Sequence, residues 1–151
     1  MKELTTFDSI LDFAIEEEQK AVDFYSELSK QASSDEMRKI FEEFAQEEVT
    51  HKMKLTEVKE TGITNMPPEK VADLRIADYM VNVKASPNMS YQEALVLAMN
   101  KEKAAFRLYT SLSERAEDAG LKDLFAALAQ EESKHKLRFE VEYDEFVLRE
   151  N

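Results

Sequence analysis

The chain contains two histidines, and each follows a glutamate by three positions: Glu48-x-x-His51 and Glu132-x-x-His135. On a helix that spacing puts both side chains of a pair on one face. Each pair interrupts an apolar stripe, Met37, Phe41, Phe44, Leu55 and Val58 around the first, Leu121, Phe125, Leu128 and Phe139 around the second. Two further stripes are broken by a single acid. Glu18 lies within Phe7, Leu11, Ala14, Ala21, Tyr25, Leu28 and Ala32, and Glu102 within Leu95, Ala98, Ala105, Tyr109, Leu112 and Ala116. Apolar residues spaced three and four apart form the core seams of a helical bundle. Four carboxylates and two imidazoles inside such a core are costly unless something compensates them. Two divalent cations would balance the four negative charges, and a mixed oxygen and nitrogen ligand set suits iron or manganese. A buried Glu–His hydrogen-bond network without metal is the alternative.

The elements that must position these six residues are four amphipathic segments, at about 4–32, 35–61, 91–117 and 120–148. Ser33 followed by Glu36, and Ser90 followed by Glu93, have capping-box spacing. The two glycines, Gly62 and Gly120, sit at helix boundaries, where positive φ is tolerated. The short joints predict two antiparallel hairpins. Residues 62–89, with Pro67, Pro68 and Pro87, form a crossover long enough to run the length of a bundle, and Val71–Val83 is apolar enough for a short extra helix. The expected fold is therefore all-α, a four-helix bundle of two hairpins joined by a long crossover, in one domain. Glu18 and the Glu48/His51 pair lie nearly equidistant from the first hairpin turn, and Glu102 and the Glu132/His135 pair from the second. At about 1.5 Å per residue all six should fall in one layer at mid-bundle. Glu16, Glu17, Glu47 and Glu131 adjoin these positions but point away around the helix, and a solvated face is the expectation for them.

The chain also matches itself at an offset of 84. Leu11, Ala14, Glu18, Ala21, Tyr25 and Leu28 meet Leu95, Ala98, Glu102, Ala105, Tyr109 and Leu112 without a gap, and Glu47, Glu48 and His51 meet Glu131, Glu132 and His135. One Glu from each of two helices with one Glu-x-x-His from each of the other two is the known arrangement of ferritin-like di-iron and di-manganese proteins. On Glu18-x-x-Ala21-x-x-x-Tyr25, Glu48-x-x-His51 and their copies, the chain resembles the rubrerythrin branch of that superfamily. The resemblance implies two iron ions that react with hydrogen peroxide or dioxygen. It makes Glu48 and Glu132 bridging carboxylates, Glu18 and Glu102 terminal ligands, and His51 and His135 one ligand per metal. Tyr25 and Tyr109 match the family's tyrosines that hydrogen-bond ligand carboxylates. Typical rubrerythrins add a four-Cys rubredoxin-like domain, whereas this sequence has no Cys, so electrons are expected from an external donor protein. They also place a seventh carboxylate one turn from the third-helix ligand, where this chain has Ala98, Met99, Ala105 and Phe106.

The composition narrows the function further. A formal net charge of −12 disfavours nucleic acid and anionic membrane surfaces as partners. No stretch approaches the length of apolar sequence that spans a bilayer, and acids interrupt the N-terminal segment, so neither a membrane span nor a signal peptide is expected. Absence of Cys excludes thiol catalysis and Cys-ligated clusters, and a cytoplasmic location is the default expectation. Three functions compete: a peroxide- or dioxygen-reducing enzyme, an iron-oxidising or storage protein, and a metal-stabilised scaffold. A homodimer would favour the enzyme over a storage cage. Ala14, Ala21, Ala98 and Ala105 should leave room beside Glu18 and Glu102 for a small molecule.

Overall fold

A computed structural model of the chain describes residues 5–81, 86 and 88–150, without the side chain of Glu150. Its elements are α1 (Phe7–Lys30), α2 (Asp35–Thr61), the single turn α3 (Pro68–Val71), a 3₁₀ turn (Ile76–Tyr79), α4 (Tyr91–Arg115) and α5 (Ala119–Glu150). There is no strand among the described residues. This is the all-α bundle the apolar stripes predict.

Helix starts follow side-chain chemistry, with two departures from expectation. Ser90 caps α4 as predicted: its hydroxyl accepts from Glu93 N at 3.1 Å, and Glu93 returns the bond to Ser90 N. At α2 the cap is Ser34, which accepts from Met37 N at 3.1 Å. Ser33 is diverted, because its hydroxyl donates to the buried carboxylate of Glu142 at 2.5 Å. Gly62 closes α2 with φ +61°, a left-handed conformation that glycine adopts without a Cβ penalty. Gly120 has no such role. It lies in the first turn of α5, where the Asp118 carboxylate accepts from Leu121 N at 2.8 Å and so starts the helix one residue earlier than the glycine suggests. In the crossover, the extra helix expected over Val71–Val83 is replaced by two short turns, and Val83 and Pro87 lie outside the described residues.

Within each hairpin the helices pack closely, α1 on α2 and α4 on α5, while α1 and α4 touch only sparingly. The apolar core is two slabs rather than one. The first joins Phe7, Ile10 and Leu11 to Leu55, Leu108, Leu112, Leu121 and Phe125. It also takes Met66, Val71 and Leu74 from the crossover. Arg115 pins that segment, donating to Lys70 O at 3.0 Å and to Asp73 Oδ1 at 2.6 Å. The second slab, at the other end, joins Phe24, Leu28, Met37 and Phe41 to Leu95, Leu97 and Phe139. Between the slabs lies a polar layer.

Candidate metal centre

That layer holds all six residues that interrupt the apolar stripes. Glu18, Glu48, His51, Glu102, Glu132 and His135 are each at most 3% exposed, among the most deeply buried side chains in the chain. Their donor atoms form two clusters, each spanning no more than 4.8 Å: Glu18, Glu48, His51 and Glu132 in one, Glu48, Glu102, Glu132 and His135 in the other. Glu48 and Glu132 belong to both, so the shared and single roles separate on geometry. The two imidazole rings stand 6.4 Å apart and nearly parallel.

The histidines are held from behind. His51 Nε2 donates to Glu131 and His135 Nε2 to Glu47, each bond crossing from one hairpin to the other. With Nε2–H engaged outward, a neutral ring turns the Nδ1 lone pair inward, the orientation a metal ligand needs. The expectation of a solvated face for Glu47 and Glu131 is corrected here: half-exposed, they reach around the helix to the histidine of the opposite hairpin. Their sequence signal was their adjacency to the ligands at both copies of the 84-residue offset. Glu16 does lie at the surface, beside Lys20, whereas Glu17 lines the cavity described below.

The tyrosines also act across the hairpins. Tyr25 donates to Glu102 Oε1 and Tyr109 to Glu18 Oε1, which leaves Oε2 of each carboxylate free. Burial, and then the charges of Glu102 and Glu18 respectively, hold both phenols protonated, well above their usual range. Each is therefore a fixed donor.

Without a cation the layer is frustrated. Among the described residues, the buried side-chain atoms lacking a hydrogen-bond partner are Glu18 Oε2, Glu48 Oε1, His51 Nδ1, Glu102 Oε2, Glu132 Oε1 and His135 Nδ1. That is one atom on each of the six. His51 Nδ1 lies 2.8 Å from Glu132 Oε1 and His135 Nδ1 3.0 Å from Glu48 Oε1, yet neither approach is aligned as a hydrogen bond. A buried orphan typically costs about 1–3 kcal/mol, and more when charged. Burial, then the charge of Glu48, pushes the Glu18 carboxyl well up, and burial with the charge of Glu102 does the same to Glu132. Burial opposes charging of the histidines, but the neighbouring carboxylates of Glu18 and Glu48 outweigh it and raise His51 to about 10. Those of Glu102 and Glu48 raise His135 to about 11. The empty layer therefore retains protons that a cation would displace. Converging oxygen and nitrogen donors with orphaned inward atoms suit iron.

The rubrerythrin family profile matches residues 9–143. The chain belongs to the rubrerythrin family. Two solved structures share its fold. One, from Thermotoga maritima, is proposed to be a ferritin-like diiron-carboxylate protein. It is 21% identical, covers 96% of this chain and 99% of its own, and superposes with a TM-score of 0.78. The other, a hypothetical protein of Pyrococcus furiosus, is 19% identical over 92% of this chain and 89% of its own, with a TM-score of 0.71. No curated protein matches the sequence. A rubrerythrin-family chain with a buried Glu/His cluster is consistent with a di-iron protein. No helix among the described residues is long and apolar enough to cross a membrane.

A cavity of about 40 Å³ meets the layer between α1 and α4. All four carboxylates and both tyrosines line it, with Ala14, Ala21, Ala104 and Ala105 making the space. Ala98, expected here, packs instead in the second apolar slab, and Ala104 takes its place. On the opposite side of the layer the Phe44 ring stacks on His135 at 4.0 Å, and a separate cavity there is lined by both rings with Glu47, Glu131 and Lys134, and by none of the four layer carboxylates.

Proposed function

We propose that the chain is a non-haem di-iron oxidoreductase that reduces hydrogen peroxide or dioxygen with electrons from a separate donor protein. One observation carries this reading: six orphaned donor atoms converge beside a cavity large enough only for a small molecule. Glu48 and Glu132 would be shared by two iron ions. Glu18 with His51 would complete one ion's ligands, and Glu102 with His135 the other's. When bound, a ferrous pair supplies the two electrons that reduction of peroxide to water requires. The chain's residues do the rest. Glu131 and Glu47 keep Nδ1 of each imidazole directed inward. Tyr25 and Tyr109 hold a proton at their hydroxyl oxygens and fix the terminal carboxylates, so that these do not swing into the cavity. The small side chains at 14, 21, 104 and 105 admit the oxidant, and Phe44 covers the His135 ring on the opposite side.

The test is rapid mixing of the iron-loaded, anaerobically reduced protein with stoichiometric hydrogen peroxide. Near-ultraviolet absorbance should rise within seconds, and turnover should stall until a reductant is added, because the sequence has no Cys-ligated relay. No oxidation within minutes would overturn the enzyme reading in favour of iron handling or a scaffold.

A further inference from the structure

The cavity between α1 and α4 has a charged wall that the ligand pattern does not explain. Glu17 and Lys101 both line it, each immediately preceding the layer glutamate of its own helix. These positions are 84 apart, so the offset that repeats every layer residue places opposite charges here. Glu17 is partnered by Lys20 at 3.3 Å. Lys101 is half-buried and forms no carboxylate pair among the described residues. Its ammonium instead lies 5.6 Å from the centre of the Phe24 ring. A cation held by an aromatic face rather than a carboxylate keeps its field for whatever enters.

That field matters because of what surrounds it. The chain carries a net charge of −12, and four carboxylates line the cavity floor. A passage walled only by these groups would turn away small anions. On the α2/α5 side a second cavity has its own cation, Lys134, but is lined by none of the four layer carboxylates. Of these two cavities, the one lined by Lys101 is the one that touches the four layer carboxylates.

We propose that Lys101 is a specificity-determining residue that offsets the negative wall of the α1/α4 passage, so that small anions enter it as well as neutral molecules of similar size. The inference rests on the layer being an iron centre. It goes beyond that reading by assigning the entrance and its charge balance to this chain's own Lys101 and Glu17.

The probe is azide, titrated into the iron-loaded, oxidised protein and followed by its visible absorption on the centre, with nitric oxide on the reduced protein as a neutral counterpart. Iron content of each variant is measured first. Lys101→Met should weaken azide binding roughly fivefold at low salt, the size expected for loss of one partly screened unit charge. The wild-type affinity should be nearly flat with ionic strength, and that of Lys101→Met should rise as salt screens the uncompensated wall. Lys101→Arg should stay within about twofold of wild type, and Glu17→Gln should tighten azide, since each acts through charge alone. Nitric oxide binding should be the same throughout, and Lys134→Met should change neither probe. Equal azide affinity in Lys101→Met and wild type, or a larger loss in Lys134→Met, would overturn the assignment while leaving the iron centre standing. A wild-type protein that takes up no iron would overturn the reading of the layer and this inference together.

Discussion

The two hairpins agree in the layer and diverge beyond it. Each supplies one lone glutamate, one Glu-x-x-His pair, one tyrosine and one glutamate behind a histidine. The positions are offset by 84 in every case. Farther out, Phe7 and Val58 at one end correspond to Tyr91 and Glu142 at the other. The Phe7 end is apolar, with its ring edge-on to Phe125 at 6.2 Å. At the Tyr91 end the Glu142 carboxylate is buried in the second slab. It accepts from Tyr91 at 2.7 Å and from Ser33 at 2.5 Å, with Arg149 at 3.8 Å. The difference shows which constraint acts where. In the layer a donor atom must sit at a given point with a given charge, and few residue types can replace Glu or His there. In the slabs the constraint is filled volume and satisfied polar atoms, which either an aliphatic contact or a complete hydrogen-bond network meets.

The largest expected effect lies in the layer itself, where the shared and single carboxylates can be set against each other. Glu48→Gln or Glu132→Gln removes a charge common to both clusters, whereas Glu18→Gln or Glu102→Gln touches one. Elemental analysis should find about two irons per chain in the wild type. The first pair of variants should fall towards zero, and the second should retain about half. Equal losses in all four would mean that the layer does not divide into shared and single ligands.

Metal removal should separate the layer from the slabs. Ions that bind only the folded chain stabilise it by mass action, so chelation should lower the melting temperature. The size of that drop should depend on pH. In the metal-free fold Glu18 and Glu132 are raised, and so are His51 (to about 10) and His135 (to about 11). A raised group stabilises fully below its unfolded pKa and loses that contribution as pH rises through its folded one. From about pH 5 to pH 9 the metal-free protein should therefore become less stable. Glu48 is shifted down, burial being outweighed by the neighbouring Glu18 carboxyl and the two histidines. Its contribution is lost only on acidification, outside that window. Metal competes with these protons, so the gap between loaded and metal-free melting temperatures should widen with pH. A gap that narrows would show that the layer is not proton-loaded when empty.

The asymmetry at the bundle ends gives a smaller, purely structural test. Glu142→Val copies the residue found at Val58. It leaves the Ser33 and Tyr91 hydroxyls without their acceptor at a half-buried joint, which should cost about 1–3 kcal/mol. That is a drop of roughly 2–10 °C for a chain of this size. Iron content should not change, because Glu142 lies in the slab outside the layer. If iron were lost, the two ends would be coupled through the layer rather than independent.

How much of this was legible in sequence depends on how local the cause is. The stripes and their interruptions specify the bundle and bring Glu18, Glu48, His51, Glu102, Glu132 and His135 together, because helical periodicity fixes which face a residue occupies. The Ser90 cap and Gly62 are equally local. The start of α5, set by Asp118 rather than Gly120, and the short turns of the crossover are local misreadings, whereas those that bear on the layer and its surroundings involve contacts between distant segments. Ser33 loses its capping role to Glu142, which is 109 positions away. Glu47 and Glu131 leave the solvated face for histidines 88 and 80 positions away. Ala98 gives way to Ala104 because the relative rotation of α1 and α4, rather than the stripe on either, decides which small residue faces the cavity. Periodicity assigns a residue to a face, but it does not show how far a long side chain reaches round the helix.

The smallest expected effect concerns the tyrosine bonds, which, like the histidine–glutamate bonds, tie the two hairpins symmetrically. Tyr25 on α1 donates to Glu102 on α4, and Tyr109 on α4 donates to Glu18 on α1. Tyr25→Phe and Tyr109→Phe each delete a hydroxyl while keeping a ring that packs on Phe139 or Phe125. The apolar burial is retained, so only a hydrogen bond to a buried carboxylate is lost. Bonds to charged groups contribute about 1.5–3 kcal/mol. In the loaded protein the carboxylate charge is already shared with a cation, so the loss should lie near the lower figure. Because the two bonds have equivalent surroundings, the single variants should be equally destabilised in chemical denaturation, and both should retain their iron. Unequal losses would mean that the divergence seen at Tyr91 and Glu142 extends inward to the layer. Additive losses in the double variant would show that the two carboxylates are held independently. A larger combined loss would show that the hydroxyls act together to keep the hairpins in register.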